Sequence, residues 1–161
     1  MRRYTAIFAL LLFTLSVLLN ACRPPELEQA VIDYNAGRFD NAYEEAKEAS
    51  EKYPDNEEAW YYLGEIEGRK GNIKAMIDAF DKSMSLKNTF QQQIELSKKN
   101  YYGKAYNDGV SAYNSMIKIE DKESPEAKKA METVIKNFKD VLLIKNDYIF
   151  KILYNRLHGL F

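Results

Sequence analysis

The sequence predicts an all-α protein: antiparallel helix pairs stacked into a solenoid, about three pairs with one further helix at the C-terminal end. Three observations predict it. Apolar residues recur at spacings of three and four along most of the chain, and no stretch alternates apolar and polar residues as a half-buried strand does. The helical stretches are short and are punctuated by Gly37, Pro54 and Gly71. A shift of 34 residues lays one pair on the next, with Gly37 falling on Gly71, Phe39 on Ile73 and Ala42 on Met76.

The first residues are of a different kind. Arg2 and Arg3 precede an almost wholly apolar run from Thr5 to Leu19. That run is shorter than the roughly 20 residues a bilayer-spanning helix needs and has the length of a secretory-signal core. It ends at Leu19-Asn20-Ala21-Cys22, which resembles the bacterial lipobox, with Asn20 departing from the small residue usual there. The resemblance implies that residues 1–21 are a signal peptide removed before Cys22, and that Cys22 carries a covalent lipid. Two or three acyl chains anchor stably, at about 0.8 kcal/mol per buried CH₂. An uncleaved signal anchor with Cys22 as a bystander thiol is the other reading. Residues 22–26, with Pro24-Pro25, are expected to form a short stiff tether, and 27–161 the solenoid. In the enteric sorting pattern an aspartate after the lipidated cysteine retains the protein in the inner membrane. Arg23 stands there, so the resemblance favours the outer membrane, on its periplasmic face.

Four helices follow in order. Leu27, Val31 and Tyr34 mark the first, which stops at Gly37; Phe39, Ala42, Tyr43, Ala46 and Ala49 mark the second, which stops before Pro54. Ala59, Tyr62, Leu63 and Ile66 mark the third, ending near Gly71; Ile73, Met76, Ile77, Phe80 and Met84 mark the fourth. The period and residue types resemble the tetratricopeptide repeat. Trp60, Leu63, Gly64, Gly71, Phe80 and Ser83 carry the resemblance in one unit, and Ala30, Gly37, Phe39, Ala42, Ala49 and Pro54 in the one before it. Glu26, Gln29 and Met76 depart from the pattern. Small residues at 30 and 64 suit a helix crossing, Gly37 and Gly71 suit a positive φ, and Trp60 is expected to fill the gap to the neighbouring pair. Neither unit can bury its apolar face alone, so the units must stack.

Residues 91–161 are less regular. Residues 88–104 read as a linking helix that runs into a third unit, whose first helix includes 105–114 with Gly109 at the crossing. Residues 123–147 read as its second helix: Ser124 as N-cap, Pro125 first, Glu126 in the first turn. Ala127, Ala130, Met131, Val134, Ile135, Phe138, Val141 and Leu142 form its apolar stripe. Tyr148, Ile149, Ile152, Leu153 and Leu157 mark a separate last helix. It folds back on the long helix before it, gives a route to homo-oligomerisation, or reflects a shortened reading frame.

The composition argues against catalysis. Lys and Arg (23) nearly balance Asp and Glu (24), giving a formal charge of −1, so no nucleic-acid footprint is expected. One cysteine and one histidine, His158, leave little for a metal or acid–base site, and no metal or cofactor other than the lipid is expected. "GEIEGRKG" lacks the Lys-Ser/Thr ending of a phosphate loop. Glu57, Glu58, Glu65 and Glu67 read as solvated helix faces.

What remains is surface recognition. In the tetratricopeptide pattern, fixed positions of each first helix line a concave groove. Carried over, these are Leu27, Val31, Tyr34 and Asn35, then Tyr61, Glu65 and Arg69, then Tyr106, Val110, Tyr113 and Asn114. Tyrosines suit binding because each offers a large contact area with a polar tip. The expected function is a membrane-anchored adaptor or scaffold that binds another envelope protein or peptide segment. A non-catalytic lipoprotein holding a peptide or small cell-wall ligand is the alternative.

Overall fold

The computed structural model describes the backbone of residues 23–158 and the side chains of residues 23–146. Six helices account for most of it, and the described residues contain no strand. They are α1 (Pro25–Asn35), α2 (Phe39–Lys52), α3 (Glu57–Lys70), α4 (Ile73–Leu86), α5 (Gln91–Met116) and α6 (Pro125–His158), with a short 3₁₀ turn, Asn88–Phe90, before α5. Adjacent helices pair as α1/α2, α3/α4 and α5/α6; α2 also packs on α3, and α6 on α4.

Local chemistry explains the boundaries. Pro25 is the first residue of α1, where a missing N–H costs nothing. The expected tether of 22–26 is therefore cut short, and the helix starts before Leu27. Arg23 is pinned just ahead of it: its guanidinium forks onto Glu58 of α3 at 2.7 and 3.2 Å and reaches Glu28 at 3.0 Å. The α1–α2 and α3–α4 turns are built alike. Gly37 (φ 75°) and Gly71 (φ 80°) are left-handed, and the residue after each donates its N–H five residues back, Arg38 to Asp33 and Asn72 to Glu67, at 2.9 Å. Asn56 caps α3 by accepting from the N–H groups of Glu58 and Ala59. Ser124 caps α6 by accepting from Ala127 N–H at 3.2 Å. At the other end of that loop, the Lys122 ammonium donates to the carbonyls of Met116, Ile117 and Ile119, closing the C-terminus of α5.

The core forms three clusters along the stack. Leu27 and Val31 of α1 meet Ala49 and Ala59; Ala30 meets Ala42, Ala46 and Ile66; and Ile73, Met76, Ile77 and Phe80 of α4 meet Ile94 of α5 and Ile144 of α6. Burying each of the larger side chains is worth about 1.5–3 kcal/mol. Ser83, buried on α4, donates to the carbonyl of Glu57 at 2.8 Å and ties α4 to the start of α3. Trp60 is half-buried and donates its indole N–H to the Pro54 carbonyl at 2.9 Å, so it braces the α2–α3 loop.

The third pair departs from the sequence reading in three ways. First, residues 91–104 run as helix into the third pair as expected, but they do more than link. They are the part of α5 that stacks on α3 and α4, through Ile94, Ser97, Lys98 and Tyr101. Second, α5 (26 residues) is far longer than α3 and α4 (14 each), so its second half runs past them with α6 alongside. Gly109 still marks a crossing, because a Cβ there would lie 3.3 Å from the Phe138 ring. Third, α6 is one helix of 34 residues, about 50 Å long, and no separate terminal helix begins near Tyr148. Asn146 and Asp147 are weak helix formers, but no Gly or Pro interrupts the run. Three of the eight residues of the expected apolar stripe of α6 are also left outside: Ala127, Val134 and Val141 are buried and Ala130 and Phe138 half-buried, whereas Met131, Ile135 and Leu142 are exposed.

The crossings yield a paired prediction. A Cβ on Gly64 would sit 2.5 Å from Cδ1 of the fully buried Phe80, whereas a Cβ on Gly103 would meet nothing within 4 Å. Gly64→Ala should therefore cost about 1–2 kcal/mol, overpacking outweighing the gain in helix propensity. Gly103→Ala should gain up to about 1 kcal/mol. Urea unfolding of the two variants checks this; equal shifts would contradict the packing.

Candidate interaction surface

Glu65 of α3 lies where α1 and α5 meet that helix, only 5% exposed. One carboxylate oxygen accepts from the Tyr34 hydroxyl of α1 at 3.2 Å, and the other from the Ser97 hydroxyl of α5. The Tyr101 hydroxyl donates to the main-chain carbonyl of Glu65 at 3.1 Å. The Tyr101 ring lies against Gly68, where a Cβ would be 2.5 Å from Cζ. Phe90 stacks on Tyr61 at 4.4 Å with the planes 6° apart, and Tyr62 stands edge-on to both Tyr34 and Tyr61. Arg69 lies over the Phe39 ring, 5.9 Å from its centroid. Tyr34, Tyr61 and Glu65 thus belong to one aromatic and polar seam that α5 closes. A carboxylate out of water needs such donors, each worth about 1.5–3 kcal/mol when the acceptor is charged.

Two more acids are buried by design of the turns. Asp33 (4% exposed) accepts from the Arg38 guanidinium, and Glu67 (7%) from the Asn72 amide at 2.7 Å. Both pairs are offset by the same 34 residues as the helices. The reading of Glu65 and Glu67 as solvated is thereby corrected: Glu65 faces its donors on α1 and α5, and Glu67 faces Asn72 in the α3–α4 turn. Matching Asp33 with Glu67 and Arg38 with Asn72 under the 34-residue shift would have revealed the burial of Glu67. Among the described residues every buried side-chain nitrogen and oxygen has a partner.

The remaining residues of the expected groove separate. Leu27 and Val31 are core, with 0 and 8% exposure, because α1 turns that side toward α2 and α3. Asn35 is exposed at the end of α1. Tyr106, Tyr113 and Asn114 are exposed on the second half of α5, far from the Glu65 seam along the helix, and Val110 is half-buried. Tyr106, Tyr113 and Ile117 share one stripe of α5 by their spacing; Met131, Ile135 and Leu142 share one of α6. All six are exposed. The stripes adjoin where Tyr106 meets Phe138 edge-on at 6.3 Å, and Tyr102 stacks on Tyr106 at 6.5 Å. The result is an apolar, tyrosine-bearing face on the α5–α6 hairpin. The sequence reading missed its α6 half because it counted those residues as core.

Cys22 lies outside the described residues, as do the side chain of His158 and those of Tyr148 to Leu157. Among the described residues no group of His, Cys, Asp and Glu could hold a metal ion, and no helix is long and apolar enough to cross a membrane. Comparison of the chain with protein-family models, with curated proteins and with solved structures finds no match.

The seam carries a pH signature. Burial first, then the Glu65 charge, pushes the phenols of Tyr61 and Tyr101 well above the ordinary phenol range. In the unfolded chain they ionise near pH 10, whereas in the folded chain they stay neutral beyond it. Stability from this source is therefore present below about pH 10 and is lost as pH rises above it. Tyr61→Phe should lose less stability between pH 8 and pH 11 than the parent, by urea midpoints. Equal losses would place Tyr61 in water.

Proposed function

We propose that this chain is a lipid-anchored protein of the bacterial envelope, held through Cys22. It works as an adaptor that binds another envelope protein or peptide segment through the outer face of its α5–α6 hairpin. The lipobox resemblance supports the anchor. On the tetratricopeptide reading, supported by the 34-residue offset of Gly37 and Gly71 and by the matched turns, the chain is a short stack of helix pairs. The observation that carries the binding role is the uncovered stripe of Tyr106, Tyr113, Ile117, Met131 and Ile135. Contiguous apolar surface with tyrosines is the composition of binding faces rather than of ordinary surface. The Glu65 seam does not serve as the groove on this reading, since Ser97, Tyr101 and Phe90 already occupy it. Placement is the outer membrane, periplasmic side. Attachment at Cys22 would leave a very short spacer, because Arg23 is already held by Glu58 and Glu28.

The test is capture from intact cross-linked cells of the native host, comparing the parent with Tyr106→Ala/Tyr113→Ala and with Cys22→Ala. The parent should capture one dominant envelope protein. The double tyrosine variant should stay folded, with a small loss of stability from the Tyr106–Phe138 contact, and capture about tenfold less, as expected when interface anchors are truncated. Cys22→Ala should leave the membrane fraction and lose the partner. Undiminished capture by the tyrosine variant would remove the hairpin face from the account, and membrane retention of Cys22→Ala would remove the lipid anchor.

A further inference from the structure

A cleft of about 540 Å³ opens between the first half of α5 and the part of α6 around Ile144. That lies within the roughly 300–1,000 Å³ of small-ligand sites. Leu96, Tyr102 and Ile144 supply apolar wall, and Leu96 is left 60% exposed to water there. Ile144 is packed into the cluster of Ile73, Met76, Ile77, Phe80 and Ile94, so the floor of the cleft is continuous with the core. The charged groups at the cleft are unequal in sign. Lys98 is turned to Asp81 at 3.3 Å, and Glu95 accepts from Gln91 at 3.0 Å. Lys99 and Lys145 stand at the cleft with no carboxylate partner among the described residues.

We propose that this cleft binds a free long-chain fatty acid, with the alkyl chain on Leu96, Tyr102 and Ile144 and the carboxylate between Lys99 and Lys145. An apolar wall calls for a hydrocarbon, which gains by leaving water. Two ammonium groups beside it, without a carboxylate partner among the described residues, call for an anion on that hydrocarbon, and one negative charge on one alkyl chain meets both demands. The lysine stems extend the apolar wall while their heads stay wet. The cleft adjoins the Tyr106–Tyr113 stripe through Tyr102, which stacks on Tyr106, but it uses neither of those tyrosines and does not depend on the adaptor reading.

The experiment uses the full chain and the fluorescent fatty acid cis-parinaric acid, below its micellar concentration. Fluorescence should rise saturably, and dodecanoate should displace the probe about tenfold better than dodecylammonium of equal chain length, because only one of them complements the lysines. Lys99→Glu/Lys145→Glu should reverse that order with an unchanged melting temperature, and Leu96→Asp should weaken both competitors. Several outcomes would overturn the proposal. They are equal displacement by the two amphiphiles, no saturable signal, and an acidic amphipathic peptide displacing the probe at lower concentration than dodecanoate. A dimer in sedimentation that the fatty acid dissociates would also overturn it, since the cleft would then belong to a second copy.

Discussion

The carboxylate of Glu65 is the constraint on which the arrangement of the helices depends. It is nearly out of water, and each of its two oxygens accepts from a hydroxyl of another helix, Tyr34 of α1 and Ser97 of α5. A charge left there without those donors would cost several kcal/mol. The position of Ser97 therefore sets the register of α5 along α3. Tyr101, one turn on, repeats the tie through the Glu65 carbonyl and fills the space that Gly68 leaves by having no side chain. Three helices are locked by one residue and its neighbours, with apolar packing on either side supplying most of the stability.

That register has a consequence at the other end of α5. With residues 91–104 spent on α3 and α4, the rest of the helix extends beyond them, and only α6 follows it. Two helices side by side can bury one seam between them, here Ala105, Gly109, Ala127, Val134 and Val141. They cannot bury the flanks as well. Tyr106, Tyr113, Met131 and Ile135 are exposed for this reason, although their 3.6-residue spacing is that of core positions. The exposed face is thus a product of helix length rather than of composition.

The first four helices were legible residue by residue, because their stops are chemical: Gly37 and Gly71 need a left-handed backbone, and Pro54 cannot continue a helix. Ser124 was legible for the same reason. The third pair was less so. Gly109 marks its crossing in the sequence, but the stacking segment upstream does not show there, because Lys98 replaces a small residue where the 34-residue shift from Gly64 lands. Apolar periodicity marks a face without saying whether anything covers it, so Met131, Ile135 and Leu142 were counted as buried. The buried acids were missed because a lone glutamate on a helix looks solvated until its donor is found. For Glu65 the donor lies 32 residues away, on a helix whose register was not yet known.

Hydrogen–deuterium exchange across α5 tests the central claim most directly. If Glu65 locks the first half of α5 onto α3, amides of residues 91–104 should exchange as slowly as those of α3, and amides of 106–116, backed by α6 alone, markedly faster. Glu65→Leu should selectively speed exchange in 91–104. Uniform exchange along α5, or a first half that exchanges faster than the second, would contradict the account.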